Sequence, residues 1–351
     1  MAGSVKILSM LGVVAAIALL FSCEHRPLED PSNVHYVRVY IDENIKNVTY
    51  GFYNESRKKP TLVRPRVLRL VLADPTTGKV CLERYLQTYG EDERGYYVDG
   101  YIAAEAGDYN LMIYNFATER TKIRNEGNFF NMEAYTSPVS DHYYQYFQTM
   151  QNQIDKKLIR YCPDHLWLVT SEPVVVGKSV GIDTLRSNQN DFFVAKTVAK
   201  SYYLQLKIKG FEYVSTAVSL LSGMAGTMTL SSGEMVESDA VNIFFDMDYA
   251  EVERSRDGEN KTAVLYSTFN TFGKLPNEQS VYTMNFEFTR TDGSSQVETI
   301  DVTSMFDEPL VKEKQWILID KEIVITPTIG GGGGLKPGVD EWGDEWCDVQ
   351  L

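Results

Sequence analysis

Apolar and polar residues alternate with a period of two along much of this chain. One segment near the middle carries large apolar side chains at every second position, namely Tyr202, Leu204, Leu206 and Ile208. Successive side chains of a strand point to opposite faces, so this alternation predicts a strand with one buried face. A helix would instead repeat its apolar residues every three or four positions. The pattern therefore constrains most of the chain to β-structure.

The same alternation recurs in both halves of the chain, beginning at Val37, Leu68, Ile243, Tyr282 and Trp316. Turn signals separate such runs, because Asp-Pro-Thr-Thr-Gly at 74–78 and Thr-Asp-Gly at 291–293 favour chain reversal. Residues 96–103 and 109–116 are expected to pair through the connection 105–108. Short strands at this spacing predict an all-β fold of two tandem antiparallel β-sandwich domains.

The expected domains are an N-terminal β-sandwich at residues 34–187 and a C-terminal β-sandwich at residues 188–329. Polar residues at 186–191 mark the boundary between them. Residues 141–158 depart from period two, because apolar side chains there recur at spacings of three and four, at Tyr143, Phe147, Met150, Ile154 and Leu158. With Asp141 placed to cap it, this segment predicts a short helical insertion in the first domain.

The N-terminus is built like a bacterial lipoprotein signal. Lys6 precedes an apolar run at residues 7–21, and Ser22 stands directly before Cys23. This pattern predicts a signal peptide at residues 1–22, cleavage before Cys23, and attachment of diacylglycerol and palmitate there. Residues 23–33 are then a lipidated tether, since they are polar and contain two prolines. An uncleaved membrane anchor and an ordinary signal peptide remain the alternatives.

The charge balance excludes one class of partner. The chain has 34 Lys and Arg against 48 Asp and Glu, a net charge of −14, and loss of Lys6 with the signal peptide makes it −15. Nucleic acid is held by neutralising phosphates with basic residues, so it is not an expected partner. Beyond Cys23, the cysteines Cys81, Cys162 and Cys347 form neither a zinc signature nor a disulfide framework, although one pair could bridge.

No catalytic constellation is present, so the chain is not expected to be an enzyme or to hold a cofactor. The four histidines do not form the His-Glu-x-x-His pattern of zinc hydrolases, and no Gly-x-Ser-x-Gly elbow occurs. Asp246 and Asp248 could bind calcium, but their spacing also suits the solvent face of a strand. Trp167 and Trp316 lie in apolar runs and are expected in the core rather than in a sugar-stacking platform.

Several phrases together resemble a known family. They are Cys-Glu-His-Arg-Pro-Leu at 23–28, Ser-Leu-Leu-Ser-Gly-Met-Ala at 219–225, Phe-Asn-Thr-Phe-Gly at 269–273, and a glycine run at 330–334 before a terminus rich in Trp and acids. The chain resembles the fimbrillin-related outer-membrane lipoproteins of the Bacteroidales, nearest to the minor-fimbrium anchor proteins. The resemblance implies transthyretin-like, Greek-key sandwiches, a lipid-anchored place on the outer membrane at the cell surface, and a fimbria (pilus) assembled with other subunits by strand exchange.

The C-terminal tail at residues 330–351 is the expected partner-binding segment. Glycine at 330–334 would detach it, and large apolar residues follow without a core of their own, at Leu335, Val339, Trp342, Trp346, Val349 and Leu351. We expect this tail to join partner subunits by β-strand addition. Folding of the tail back onto its own domain is the alternative. For the whole protein, the alternative function is a surface glycan-binding lipoprotein of a polysaccharide-uptake system.

Overall fold

The structure is a computed structural model, and it describes residues 33–116, 118–145, 147, 149–150, 154–170, 173–188, 190–254, 258, 260–275 and 281–327. Over these ranges it contains 22 strands and three short α-helices. Most strand pairs are antiparallel, and they form several sheets. The all-β class predicted from the alternating residues is confirmed.

The first thirteen strands are β1 (Val34–Ile41), β2 (Leu68–Ala73), β3 (Val80–Leu86), β4 (Thr88–Asp92), β5 (Gly95–Ala103), β6 (Gly107–Tyr114), β7 (Thr121–Arg124), β8 (Glu133–Thr136), β9 (Ile159–Tyr161), β10 (Trp167–Thr170), β11 (Val174–Val176), β12 (Ile182–Thr184) and β13 (Phe193–Thr197). The remaining strands are β14 (Lys200–Lys209), β15 (Val214–Ala225), β16 (Thr227–Thr229), β17 (Ala240–Asp246), β18 (Asp248–Arg254), β19 (Lys261–Thr271), β20 (Thr283–Arg290), β21 (Ser295–Asp301) and β22 (Trp316–Val324).

The helices are short and lie between strands. They are α1 (Lys46–Tyr50), α2 (Asp141–Tyr144) and α3 (Pro309–Lys314), with 3-10 turns at Phe129–Asn131, Lys156–Leu158, Phe211–Tyr213 and Ser304–Asp307. Among the described ranges, none of the helices has both the length and the apolar character needed to cross a membrane.

Nine strands of the first half and β13 form one ten-stranded sheet. Its order is β3-β2-β6-β10-β13-β1-β5-β4, with β11 beside β6 and β12 beside β1. Alternate side chains of β1, β2, β5 and β6 point into a shared core, including Val37, Leu70, Val98 and Ile113, all without solvent exposure. Burial of such side chains stabilises the fold by about 1.5–3 kcal/mol each. Strand β13 lies between β10 and β1 in this sheet, since it pairs antiparallel to β10 and parallel to β1.

The second half contains two sheets that pack against each other. One has the order β18-β19-β14-β22, and the other has the order β21-β20-β15-β17-β9. A single apolar cluster fills the space between them, with Leu204 and Leu206 from β14, Leu221 from β15 and Phe286 from β20. These side chains are at most 1% exposed, as the period-two alternation predicts.

A small sheet of three strands joins the two halves. Its order is β16-β8-β7, so a strand of the second half pairs with a hairpin of the first. The apolar cluster below it combines Met112 and Tyr114 of β6 with Met228 and Phe272 of the second half. Strand β9 also pairs with β17, and β13 lies beyond residue 187 although it pairs with first-half strands. The division into residues 34–187 and 188–329 stays a prediction, and strand pairing crosses it at these three places.

The loop after α1 extends the contact between the halves. The hydroxyl groups of Tyr53 and Thr268 lie 3.1 Å apart, and Arg57 forms an ion pair with Glu251 at 3.0 Å. Arg57 is almost fully buried, so this pair is shielded from solvent better than a surface ion pair. The first half is therefore attached to the outer face of β18 and β19 by polar as well as apolar contacts.

The predicted helix at residues 141–158 is wrong in its extent. Among the described residues of this segment, α2 ends at Tyr144, the 3-10 turn Lys156–Leu158 lies at the other end, and Phe147 and Ile154 lie outside helices. The backbone N–H groups of Thr149 and Met150 donate to the carboxylate of Glu287 rather than continuing a helical ladder. Of the apolar residues at helical spacing, Phe147 and Met150 are buried against a sheet, Tyr143 and Ile154 are partly buried there, and Leu158 is exposed.

The predicted pairing of residues 96–103 with 109–116 is also wrong. Strand β5 pairs with β1 and β4, whereas β6 pairs with β2, β10 and β11. The predicted turn at 74–78 is confirmed, because Gly78 adopts φ +70° and its N–H donates to the carbonyl of Asp74. The hairpin at 291–293 is confirmed as well, by the antiparallel pairing of β20 with β21 and by φ +83° at Gly293.

Candidate interaction surfaces

The residues singled out from the sequence as functional sites lie outside the described residues. They are the lipidation site Cys23 and the tail residues Leu335, Val339, Trp342, Trp346, Val349 and Leu351. The signal peptide at residues 1–22 and the glycine run also lie outside. Lipidation and partner binding through the tail therefore stay predictions.

Side chains that could carry chemistry are dispersed in the described part of the chain. There, no group of three or more His, Cys, Asp or Glu side chains is placed to hold a metal ion. Cys81 and Cys162 are free thiols, and Cys162 is sheltered beside the carbonyl oxygen of Phe244 at 3.1 Å. Burial raises the pKa of the Cys162 thiol to about 12, so this thiol is inert at neutral pH.

Among the residues proposed for calcium or sugar binding, Trp167 is confirmed as a core residue. It is 1% exposed and packs among β1, β2 and β6 side chains. Trp316 is only partly buried, and its ring lies 4.8 Å from that of Phe52 in an edge-to-face arrangement. Asp246 and Asp248 are both solvent-exposed, as expected for the outer face of a strand.

The free edge of β22 is one surface at which another strand could pair. Strand β22 pairs with β14 on one side, in parallel orientation. On the other side, the described contacts are with side chains of β21: Gln296 Nε2 donates to the Val324 carbonyl at 3.0 Å, and Lys321 lies 3.5 Å from Glu298. A strand edge of this kind offers unpaired N–H and C=O groups to an added strand.

A hydrogen-bonded cluster of outward-facing residues, here called the tyrosine face, lies on the outer side of β1, β4 and β5. Its members alternate with core residues and are Tyr36, Arg38, Tyr40, Asp92, Tyr97, Asp99 and Tyr101. The antiparallel register of β1 and β5 places Tyr36 opposite Tyr101, Arg38 opposite Asp99, and Tyr40 opposite Tyr97. Each aromatic residue therefore faces another, and the cation faces an anion.

Hydrogen bonds hold the tyrosine face in one arrangement. The Tyr36 hydroxyl donates to Asp99 and accepts from Arg38 Nε at 2.8 Å. The two terminal nitrogens of Arg38 donate to Asp92 at 3.2 Å and to Asp99 at 3.1 Å. The Tyr40 hydroxyl donates to Asp92 at 2.7 Å. Arg38 also lies 3.9 Å from the centroid of the Tyr97 ring, which is a close cation–π contact.

The environment shifts the pKa of both Tyr36 and Asp92. Burial, followed by the hydrogen bond to Asp99, raises the pKa of Tyr36 to about 12, so its hydroxyl remains a donor. The hydrogen bond from Tyr40, followed by the Arg94 backbone N–H, lowers the pKa of Asp92. The face thus combines one cation with two carboxylates, and Arg38 forms an ion pair with each of them.

The composition of the tyrosine face suits protein docking better than flat stacking of a sugar. Tyr and Arg are enriched where protein interfaces concentrate their binding energy. Arg38 already covers the ring of Tyr97, whereas Tyr101 is 59% exposed. This surface was not identified from the sequence. The available signal was the matched patterns Tyr-x-Arg-x-Tyr at 36–40 and Tyr-x-Asp-x-Tyr at 97–101, which become complementary only once β1 and β5 are paired.

Comparison with known proteins gives both a sequence relative and a fold. Residues 88–246 match the family described as Domain of unknown function (DUF5119). The chain is 24% identical over 293 residues to Fim4B of Bacteroides ovatus, a protein assigned as a fimbrium anchoring subunit. This alignment covers 73% of the present chain and 81% of Fim4B.

One solved structure supports the fold. A crystal structure of a protein assigned as an adhesin from Bacteroides ovatus matches with a TM-score of 0.52 at 20% identity, over 87% of this chain and 99% of that one. The fimbrial anchor protein Mfa2 from Porphyromonas gingivalis matches with a TM-score of 0.40 at 11% identity, over 83% and 90% of the two chains. Fim4B is named as a fimbrial subunit and not as an enzyme, in agreement with the prediction that this chain is not one. The similarity to Fim4B confirms the resemblance to fimbrial anchor proteins of the Bacteroidales that the sequence carries.

Proposed function

We propose that the protein is a structural component of a surface fimbria, acting as an anchor that joins the fimbria to the cell. The observation that carries this proposal is the similarity to a fimbrium anchoring subunit along 81% of that subunit's length. The β-rich architecture and the tyrosine face, in which Tyr101 is exposed, support a role in protein contacts. The proposal includes the finer fold, in which the two halves are tandem transthyretin-like, Greek-key sandwiches.

The experiment that tests this role is cross-linking on intact cells followed by identification of the captured proteins. Recovery of pilin-like subunits with the protein is the expected result. A matched strain that carries Tyr101→Glu would place a charge on the tyrosine face without touching the core, and reduced capture is expected if partners dock there. If neither strain yields a fimbrial subunit, the structural role is wrong.

We also propose that Cys23 carries the lipid that holds the protein on the outer membrane. Support comes from the signal-like residues 1–22 and from the position of β1, whose first residue, Val34, follows the polar tether. Cys23→Ala should abolish incorporation of labelled fatty acid and move the protein out of the detergent phase. Cys81→Ala is the matched control, because Cys81 is an exposed free cysteine within the folded part. Continued labelling of the Cys23 variant would contradict lipidation.

Partner subunits are proposed to be joined by β-strand addition through the tail. The tail follows β22 after a short connection, and the outer edge of β22 makes few backbone contacts among the described residues. Deletion of residues 334–351 should leave membrane attachment and folding intact but abolish co-purification of fimbrial subunits. Retained co-purification would exclude the tail as the donor. A large loss of thermal stability would instead support a tail that folds back onto its own domain.

A further inference from the structure

A polar groove lies where the first half meets the second, and its described walls contain no residue of the tyrosine face. Its volume is about 570 Å³, and its walls include Asn125, Asn128, Phe130, Asn131, Glu133 and Thr229. Small-molecule sites typically enclose about 300–1,000 Å³. The first five residues belong to the connection between β7 and β8 or to the start of β8, and Thr229 ends β16.

The walls of this groove are fixed by hydrogen bonds on both sides. The Phe129 N–H donates to the Gly78 carbonyl at 2.7 Å, and the Asn128 side chain donates to the Thr77 carbonyl at 3.0 Å. From the second half, the Leu230 N–H donates to the Met132 carbonyl at 2.8 Å. Because these hydrogen bonds already order the turn, a ligand would lose little binding free energy to ordering it.

One aromatic ring is presented at the groove. Phe130 is 43% exposed, and its ring packs on Gly78, where a Cβ atom would come within 2.4 Å of Phe130 Cδ2. Because Gly78 has no side chain, the Phe130 ring can pack directly on its backbone. The face of an aromatic ring carries negative potential, which attracts the polarised C–H groups on one side of a pyranose.

Beside this ring, two amide side chains are available to a ligand. Asn125 and Asn131 are exposed, and neither amide has a hydrogen-bond partner among the described residues. Each amide offers both donors and an acceptor, which suits neighbouring hydroxyl groups that also donate and accept. Asn128 contributes no free acceptor, because its Oδ1 already accepts from the N–H groups of Phe130 and Asn131.

The charges around the groove exclude other classes of ligand. Glu133 is paired with Arg124 at 2.6 Å, and Glu126 in the same turn is paired with Arg69. Among the described residues of its walls, no unpaired cation is present to receive a phosphate or sulfate, and calcium would need six to eight oxygen ligands where one paired carboxylate is present. The ligand class that fits the groove is therefore a neutral molecule with hydroxyl groups and an apolar face.

We propose that this groove binds a neutral polysaccharide through stacking on Phe130 and hydrogen bonds to Asn125 and Asn131. The groove is bordered by exposed side chains, so it can hold a sugar unit within a chain rather than a free end. A fimbrial component with this site would contact a glycan in addition to its protein partners. The inference does not depend on the fimbrial role.

The test is affinity electrophoresis of the full-length protein in gels that contain yeast mannan, pectic galactan, xylan or a β-glucan, with polygalacturonate as an acidic comparison. At least one neutral polysaccharide should retard the protein. Phe130→Ala should weaken the association constant about tenfold, since loss of aromatic contact and of its buried area removes roughly 1.4 kcal/mol. Tyr89→Ala is the matched control, because Tyr89 is a similarly exposed aromatic residue outside the groove.

A second variant separates binding from folding. Asn125 adopts φ +60°, a conformation that glycine accepts freely, so Asn125→Gly removes the amide while preserving the turn. It should weaken retardation and leave the unfolding temperature unchanged. Retardation by none of the neutral polysaccharides, or by polygalacturonate alone, would overturn the proposal. Retardation that is equal in the wild type, Phe130→Ala and Asn125→Gly proteins would overturn it too.

Discussion

We expect the buried carboxylate of Glu287 to hold the segment after α2 against the second half. This contact is here called the latch. Glu287 lies on β20 and is fully buried, and its two carboxylate oxygens accept from the backbone N–H groups of Thr149 at 2.6 Å and Met150 at 3.1 Å. The latched segment also buries Phe147 and Met150 against β15 and β17. The carboxylate and the apolar contacts therefore stabilise the same packing.

The cost of removing the latch follows from those two hydrogen bonds. Glu287→Ala leaves two buried N–H groups without an acceptor, and each such group costs about 1–3 kcal/mol. We expect the free energy of unfolding to fall by about 2–6 kcal/mol. Glu287→Gln keeps the shape but offers one acceptor oxygen instead of two, so about half of that loss is expected.

Urea unfolding measures the total effect, and hydrogen exchange locates it. The amides of Thr149 and Met150 should exchange faster in Glu287→Ala than in the wild type. Glu298→Ala is the control, because Glu298 lies on the neighbouring strand β21 and forms a partly exposed ion pair worth at most about 1 kcal/mol. If the free energy of unfolding of Glu287→Ala lies within about 0.5 kcal/mol of the wild-type value, or if these two amides exchange at unchanged rates, the role assigned to Glu287 is wrong.

Three further outcomes can be measured on the same protein. Leu206→Asp places a charge in the core of the second half and should lower the unfolding free energy by about 3–5 kcal/mol in urea titration, whereas Lys207→Asp on the opposite face should have little effect. Gly210→Ala should lower the thermal midpoint more than Gly233→Ala: both glycines have positive φ, but only at Gly210 would a Cβ atom meet a backbone oxygen, at 2.1 Å. Burial lowers the pKa of His165 to about 4, so stability from its neutral form is present above pH 6.5 and should fall by about 2 kcal/mol between pH 8 and pH 5, a loss absent in His165→Gln.

The period-two pattern predicted the strands well, because the burial of one face is a local property of each segment. Leu204 and Leu206 point into the core, and so do Met284, Phe286 and Phe288 of β20. The same pattern assigns Glu287 to a solvent-exposed face, yet this residue is fully buried. The segment after α2 covers that face of β20, and nothing in the strand's own sequence reports what packs over its polar side.

The helix prediction failed for a related physical reason. Phe147, Met150 and Ile154 have helical spacing and do contribute to one apolar cluster, so the inference that they share a buried side was sound. Spacing reports burial, whereas a helix also requires each N–H group to find the carbonyl four residues earlier. Here Glu287 supplies the acceptor for Thr149 and Met150, and an acceptor 137 or more positions away in sequence cannot be read from local spacing.

Pairings between strands that are distant in sequence determine the junction of the two halves, and local sequence patterns do not predict these pairings. Strand β8 pairs with β16, so Glu133 lies opposite Thr229, although these residues are far apart in the chain. Turn preferences at Asn125 and Asn128 are readable from the sequence, but they indicate only a reversal between β7 and β8. Asn125, Phe130 and Asn131 become the wall of a groove because β16 and its following turn close the other side. The proposed saccharide site therefore depends on contact between the two halves, and a variant that separates them should lose glycan binding even with every groove residue intact.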